Sequence, residues 1–159
     1  YSIGWETVGA QVCEALDYGG SSRRRRAFLF ANRCGTGSLA PRADRPRPPT
    51  MAQVLGWSEG HHIITRGNMT GDGGNRFSAD QPSWCLTGSS RSWVRDDGLR
   101  LTAAEAGLLN GFRADYPWQG SRTSQFLQAA DVVAPPMAAA VLTAAIGART
   151  AIPHARLAA

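Results

Sequence analysis

The sequence predicts a mixed α/β chain, and three observations support that fold class. An apolar run at 27–30 follows a Gly-Gly-Ser-Ser turn and four arginines, which is typical of a strand buried in a sheet. Thr102 and Glu105 have the spacing of a capping box, in which each side chain satisfies a free backbone N–H at a helix start. Two prolines open the segment 135–146 and Gly147 follows it, which predicts a helix between them.

Shorter elements are expected before these helices. Residues 1–8 alternate loosely and are interpreted as a strand, and a second strand is expected at 26–31. Thr50 is expected to cap a short helix, Met51–Leu55, which Gly56 ends.

The middle of the chain is expected to be irregular. Segment 34–49 is rich in Gly, Pro and Arg, so it is interpreted as a linker or an exposed arm, and 60–74 as a loop with one brief strand at 62–65. Further along, a strand is expected at 84–87, a linker at 89–98 and a brief helical turn from Ser121. On the helix 135–146, the side chains expected to face the core are Met137, Val141, Leu142, Ala145 and Ile146.

Composition predicts a single modest core and a basic surface. The chain has 159 residues, 43% of them hydrophobic, and a formal net charge of +5. All 17 basic residues are arginine. Arginine suits phosphates and base edges, which favours a nucleic-acid partner, but a high-GC coding bias also replaces lysine by arginine, and both explanations stay open. The longest apolar run, 132–146, is too short and too rich in alanine to cross a bilayer, so no membrane span is expected.

Metal and disulfide sites are not expected. Cys13, Cys34 and Cys85 are odd in number and lack the spacing of metal ligands, so they are interpreted as reduced cysteines of a cytoplasmic protein. His61 and His62 are adjacent, and are expected on opposite faces of a strand, which disfavours metal binding. The first residues read as the middle of a fold, so we expect a fragment.

Three segments carry more information than the rest. They are Asp-Tyr-Gly-Gly-Ser-Ser-Arg-Arg-Arg-Arg-Ala-Phe-Leu-Phe at 17–30, Arg-Leu-Thr-Ala-Ala-Glu-Ala-Gly-Leu-Leu-Asn-Gly-Phe at 100–112 and Ala-Asp-Val-Val-Ala-Pro-Pro at 130–136. In this order they resemble the C-terminal part of a DNA cytosine-5 methyltransferase. Ser22 and Asn110 stand where that family has glutamine, and Asp131 where it has asparagine.

The resemblance implies a fold and a division of the chain. The fold is an incomplete class I, Rossmann-like methyltransferase sheet, contributing late strands and C-terminal helices, with an irregular recognition lobe inserted. Residues 1–33 would end the catalytic domain, 34–98 would be the target recognition region, 99–150 would return to the catalytic core, and 151–159 would be a tail.

The resemblance also implies roles for named residues. Arg24 and Arg26 would be catalytic: they alternate onto one face of a strand, and Arg26 would donate to O2 of a flipped cytosine, where negative charge grows after a cysteine thiolate attacks carbon 6. Taken alone, four consecutive arginines are also typical of a solvated charge run. Asp131 and Val132 would border the S-adenosylmethionine, although a proline-initiated core helix also explains the two prolines.

Within 34–98, glycine-rich loops present side chains that suit phosphates and purine edges. Ordinary loops with solvated arginines remain the alternative. The expected DNA-binding residues are Arg66, Asn68, Asn75, Arg76 and Arg91.

Several parts of a complete enzyme are not in this sequence. It has no Pro-Cys nucleophile, no Glu-Asn-Val and no Phe-x-Gly-x-Gly cofactor loop. We therefore expect one part of an enzyme, inactive alone. It would need S-adenosylmethionine, double-stranded DNA and either the missing N-terminal half or a partner subunit. We expect it in the cytoplasm of a bacterial or phage-infected cell, as part of a restriction-modification system. The alternative is a non-catalytic DNA-binding or interaction protein derived from such an enzyme.

Overall fold

The structure is a computed structural model that describes residues 7–32, 47–65 and 75–145. Within those ranges it contains two small antiparallel sheets and four α-helices, so the mixed α/β composition is confirmed. Most of the predicted linker, the tail, Ile146 and Gly147 lie outside the described residues.

The first sheet is a hairpin of β1 (Thr7–Glu14) and β2 (Arg25–Asn32). A 3₁₀ turn, Ala15–Tyr18, connects β1 to the approach to β2, and it ends at Gly19, whose positive φ of 87° favours glycine. The strand predicted at 26–31 is confirmed. Of the strand predicted at 1–8, residues 1–6 lie outside the described ranges, and residues 7 and 8 belong to β1, which continues to Glu14.

The second sheet has the order β4-β3-β5. Its strands are β3 (His62–Ile64), β4 (Arg76–Ser78) and β5 (Val94–Arg95), so the strand predicted at 62–65 is confirmed. Within the predicted linker 89–98, a 3₁₀ turn, Gly88–Ser92, overlaps the first residues and β5 follows, so that interpretation is wrong.

The strand predicted at 84–87 is also wrong. Only Ser83, one residue earlier, forms a bridge, and it pairs with Ser22. Among the next residues, the carbonyl of Leu86 accepts from the Arg24 side chain, and the ring of Trp84 stacks on Phe77 with centroids 4.8 Å apart.

Two short helices begin where their capping residues predict. Helix α1 (Met51–Leu55) follows Thr50, whose hydroxyl accepts from the Gln53 N–H at 3.1 Å. Helix α2 (Ala103–Leu109) follows Thr102, whose N–H donates to the carboxylate of Glu105 at 2.7 Å. Both predicted caps are confirmed.

Helix α3 (Arg122–Asp131) is longer than predicted, because the expected brief turn is a 10-residue helix. Its buried residues are Phe126, Ala129 and Ala130, whose spacing of three and four places them on one face. Two alanines in that stripe gave little hydrophobic pattern in the sequence.

Helix α4 (Pro135–Ala145) begins at the predicted proline. Its buried residues are Met137, Ala140 and Ala144, three and seven positions apart. Leu142 does not lie in that stripe and is 62% exposed, so the prediction that it faces the core is wrong.

Two hydrophobic cores divide the helices between them. Helices α1, α2 and α3 and the second sheet surround one core. The largest buried residues of this core are Met51, Ile63, Leu86, Leu101, Leu109 and Phe126. Helix α4 packs on the β1–β2 hairpin in the other core, through Cys13, Ala15, Tyr18, Ala134, Met137, Ala140 and Ala144.

Helices α3 and α4 together resemble a membrane span in length and composition, with a mean hydropathy of 1.4 over part of the 24 residues Arg122–Ala145. Extended backbone at Val132 divides them, and each helix packs in a different core. Lipid would leave the polar groups at that break unsatisfied. We therefore interpret the pair as two packed helices.

The turn after β5 binds the loop before β3. Asp96 accepts from Nδ1 of His61 at 2.8 Å and from the backbone N–H of His62 at 3.0 Å, and Nδ1 of His62 lies 3.8 Å from the same carboxylate. His62 Nδ1 has a nearer partner in the Gly60 carbonyl at 3.2 Å, but both rings approach the same carboxylate, so the expectation that they point to opposite faces is wrong. Only His62 lies in the strand, so strand alternation does not apply to His61.

Acid is expected to weaken this turn. Hydrogen bonds from His61 lower the pKa of Asp96, and the Arg95 guanidinium lowers the pKa of Asp97 from 3.8 to about 2. Because both pKa values are depressed in the folded chain, the stabilisation is present above about pH 4 and is lost as the pH falls towards 2.

Asp97→Asn should therefore reduce the fall in the urea midpoint between about pH 4 and pH 2. Glu59→Gln, which removes an exposed carboxyl, is the control and should follow the unaltered chain. Parallel midpoint curves for Asp97→Asn and the unaltered chain would contradict this assignment.

Candidate functional site

Arg24 lies where the chain enters β2, and its backbone is fixed on both sides. Its N–H donates to Oε1 of Glu14 at 2.6 Å, and its carbonyl accepts from the Ala15 N–H at 2.9 Å. Just upstream, the N–H of Arg23 donates to the carbonyl of Ser83 at 2.9 Å. The hairpin and the segment after β4 therefore both determine where the Arg24 side chain begins.

The Arg24 guanidinium is buried, with 1% of the residue exposed, and it donates to backbone carbonyls. Nε donates to Val132 at 2.9 Å, one terminal nitrogen donates to Ala130, and the other donates to Leu86 at 3.3 Å. This guanidinium therefore connects the strand, the predicted recognition region and the link between α3 and α4.

Burial lowers the pKa of Arg24, and the positive charge of Arg26 lowers that pKa further. Cys85, whose Sγ lies 3.9 Å from the guanidinium, and the carboxylate of Asp131 act in the opposite direction. An arginine still carries its proton at neutral pH. The site is therefore a fixed positive charge that is only partly offset by its neighbours.

Arg26 lies on the hairpin face that α4 covers. It pairs with Cys13 across the hairpin, and Cys13 and the next residue on that face, Phe28, both pack in the core around Met137. Arg26 is half-buried, and in the described part of the chain its guanidinium donates to the Arg25 carbonyl at 3.0 Å. Unlike Arg24, it has terminal donors not used on the core of the protein.

The two residues expected at the cofactor border lie beside Arg24. Asp131 is the last residue of α3 and is exposed, while Val132 is half-buried and extended. The carbonyl of Val132 is the one that accepts from Arg24. The structure thus places Val132 in contact with the Arg24 guanidinium, and Asp131 and Arg26 are each close enough to Arg24 to act on its charge.

Three of the expected DNA-binding residues, Asn75, Arg76 and Arg91, lie in the described chain. Asn75 and Arg76 are exposed at the start of β4, where the Asn75 carbonyl accepts from the Thr65 N–H at 2.8 Å. Arg91 is exposed on the 3₁₀ turn, and its guanidinium donates to Gly88 at 2.8 Å. Arg66 and Asn68 lie outside the described residues.

Sequence reasoning missed Arg122. Its Nη2 donates to the carbonyls of Leu101 at 2.6 Å and Arg91 at 3.0 Å, and its guanidinium lies 4.8 Å from the ring centre of Phe126. Arg122 therefore attaches the first turn of α3 to the segment that carries Arg91. Backbone carbonyls have no sequence signature, so nothing in the sequence marked this contact.

The three ranges that the structure describes contain no group of three or more His, Cys, Asp or Glu side chains that could bind a metal ion. The groups that the described residues supply at this site are guanidinium donors, the exposed carboxylate of Asp131 and the thiol of Cys85. Comparison of the sequence with models of known protein families and with curated proteins found no match.

Arg24→Met, which preserves side-chain bulk but removes all donors, is expected to lower the free energy of unfolding by about 3 kcal/mol or more, because three carbonyls lose a charged donor. Urea denaturation measures this loss. Arg25→Met is the control: Arg25 is exposed, so its replacement should change stability by less than about 0.5 kcal/mol. Equal losses for the two variants would contradict the role given to Arg24.

Proposed function

We propose that this chain is the C-terminal, DNA-reading part of a DNA cytosine-5 methyltransferase, with a class I, Rossmann-like catalytic sheet. The observation that supports the proposal is the position of Arg24 and Arg26 relative to the segment 130–132. Arg24 donates to the segment 130–132, which the resemblance assigns to the cofactor border, and Arg26 lies two residues along the same chain.

The two arginines have different roles in this proposal. Arg24 is a positioning residue, because its donors are used on Leu86, Ala130 and Val132. Arg26 is the catalytic residue, since it has terminal donors for O2 of a flipped cytosine. A fixed cation at that oxygen stabilises the negative charge that develops when a thiolate attacks carbon 6.

S-adenosylmethionine would supply an electrophilic methyl group. The exposed carboxylate of Asp131 can accept hydrogen bonds from an ammonium or from ribose hydroxyls, and the half-buried Val132 side chain offers an apolar contact. The Val132 carbonyl is already used by Arg24. These two residues fit one border of a cofactor site, so the rest of that site belongs to another part of the enzyme.

The nucleophile must also come from elsewhere, because the sequence contains no Pro-Cys. An exposed apolar face supports a place for that missing part. On the side of the hairpin away from α4, Val12 is 58% exposed and Leu29 is 78% exposed; exposed Ala27 lies opposite Val12 and exposed Ala10 opposite Leu29. Such a face on a sheet is typical of an interface with further protein.

DNA binding is proposed for the exposed side chains of Asn75, Arg76 and Arg91, together with Arg66 and Asn68. Arginine contacts to phosphates supply affinity, and asparagine and arginine contacts to purine edges supply sequence preference. The enzyme would work in the cytoplasm of a bacterial or phage-infected cell, on double-stranded DNA.

The Arg26 assignment is tested with the chain produced together with the polypeptide that supplies Pro-Cys and the cofactor loop. Arg26→Ala is expected to lower the rate of labelled methyl transfer to DNA by about 10²-fold to 10³-fold, the cost of one oxyanion donor, with DNA affinity retained. Arg113→Ala, which removes an exposed arginine paired with Asp115, should leave the rate unchanged. Full transfer by Arg26→Ala would refute the assignment, and DNA binding with no transfer by the unaltered assembly would favour the non-catalytic alternative.

DNA binding by the chain itself is expected to weaken with salt. Arg91→Ala should reduce the slope of log affinity against log salt by about 0.9, because one phosphate contact is lost. Arg113→Ala is the matched control, since Asp115 already pairs with that guanidinium at 2.7 Å. An unchanged slope for Arg91→Ala in fluorescence anisotropy titrations would exclude Arg91 from the interface.

A further inference from the structure

Two buried polar atoms near Arg24 have no hydrogen-bond partner among the described residues. They are Oγ of Ser22 and Oδ1 of Asn110, and both residues are 1% exposed. Leaving such a group unpaired in the interior costs about 1–3 kcal/mol, so native proteins nearly always satisfy it with protein or with water.

Ser22 and Asn110 belong to two segments that are in contact, and Asn110 also contacts the end of α3. Ser21, adjacent to Ser22, donates through its hydroxyl to the carbonyl of Leu109 at 3.0 Å, which places the approach to β2 against the end of α2. Asn110 donates through Nδ2 to the carbonyl of Ala129 at 2.7 Å. The next carbonyl along, that of Ala130, accepts from Arg24.

The chemistry of the two unpaired atoms is complementary. The orientation of the Asn110 amide is fixed, because turning it over would place Oδ1 against the carbonyl oxygen of Ala129. The unpaired atom of Asn110 is therefore an acceptor. The hydroxyl of Ser22 is a free donor and can also accept.

We propose that one internal water molecule binds between Ser22 and Asn110. The water accepts from the Ser22 hydroxyl and donates to Oδ1 of Asn110, and its second hydrogen remains for a nearby carbonyl. Each of the two atoms exposes less than 1 Å² to solvent, so no cofactor, nucleotide or protein segment reaches them from outside. A sodium ion is disfavoured because the Arg24 guanidinium already donates to the neighbouring carbonyl. Water is the small molecule that supplies both a donor and an acceptor.

This water would join the approach to β2 to the end of α2, beside the contacts of Arg24. The inference is independent of the methyltransferase proposal, because it depends only on burial and hydrogen bonding. It stays testable if no methyl transfer is ever found.

The direct test is a crystal structure of this chain at a resolution that shows ordered water. We expect one density peak within about 2.7–3.1 Å of both Ser22 Oγ and Asn110 Oδ1. No peak there, separate waters that each contact one residue, or direct protein partners for both atoms would each overturn the proposal.

A double-mutant cycle provides a second measurement. Because Ser22→Ala and Asn110→Leu each remove one partner of the same water, their effects on the unfolding equilibrium constant should depart from additivity by about fivefold. Ser90→Ala with Asn110→Leu is the control cycle, since the buried Ser90 hydroxyl has its own partner in the Thr87 N–H at 3.0 Å. Additivity of the Ser22 cycle would contradict a shared water, and variants that fail to fold leave the crystallographic test decisive.

Discussion

The rest of the structure depends on the interaction between the Arg24 guanidinium and the C-terminal end of α3. The last carbonyls of a helix have no partner within it, and they carry the negative end of the helix dipole. Helix α3 has no basic residue in its last turn, and its C-cap residue, Val132, is extended. The Ala130 carbonyl accepts instead from Arg24, whose sequence position is 106 residues away. The hydrogen bonds from these carbonyls offset the desolvation cost of burying the Arg24 guanidinium, and the guanidinium supplies the donors that the helix itself lacks at this end.

That interaction explains why separate elements meet where they do. The same guanidinium reaches Leu86 in the first core, and its own strand belongs to the second core with α4. Other polar links join the same parts: the Ser21 hydroxyl donates to the Leu109 carbonyl, and Ser83 forms backbone hydrogen bonds with Ser21 and Arg23. The Arg24 side chain adds a charged link to these, and together they set the relation of the hairpin to the segment that returns from the second sheet.

How far the sequence predicted these features depends on how local each one is. The caps at Thr50 and Thr102 and the start of α4 at Pro135 involve residues within one turn of each other, so their spacing was sufficient. The prediction of a strand at 84–87 was wrong because an extended segment that joins no sheet can have the same apolar pattern as a strand. The contacts at the end of α3 could not be predicted, because the groups that accept there from Arg24 and Asn110 are backbone carbonyls, and any residue supplies a carbonyl.

The same distinction applies to the candidate site. Alternation predicts that Arg24 and Arg26 share a face, but burial separates their roles, and burial depends on what packs there. Two guanidiniums so close repel each other, which is why the positive charge of Arg26 lowers the pKa of Arg24. The carboxylate of Asp131 acts in the opposite direction, so aspartate at this position has an electrostatic function that asparagine would lack. Aspartate at 131, where the methyltransferases that the sequence resembles have asparagine, therefore favours the charged form of Arg24 at the end of α3.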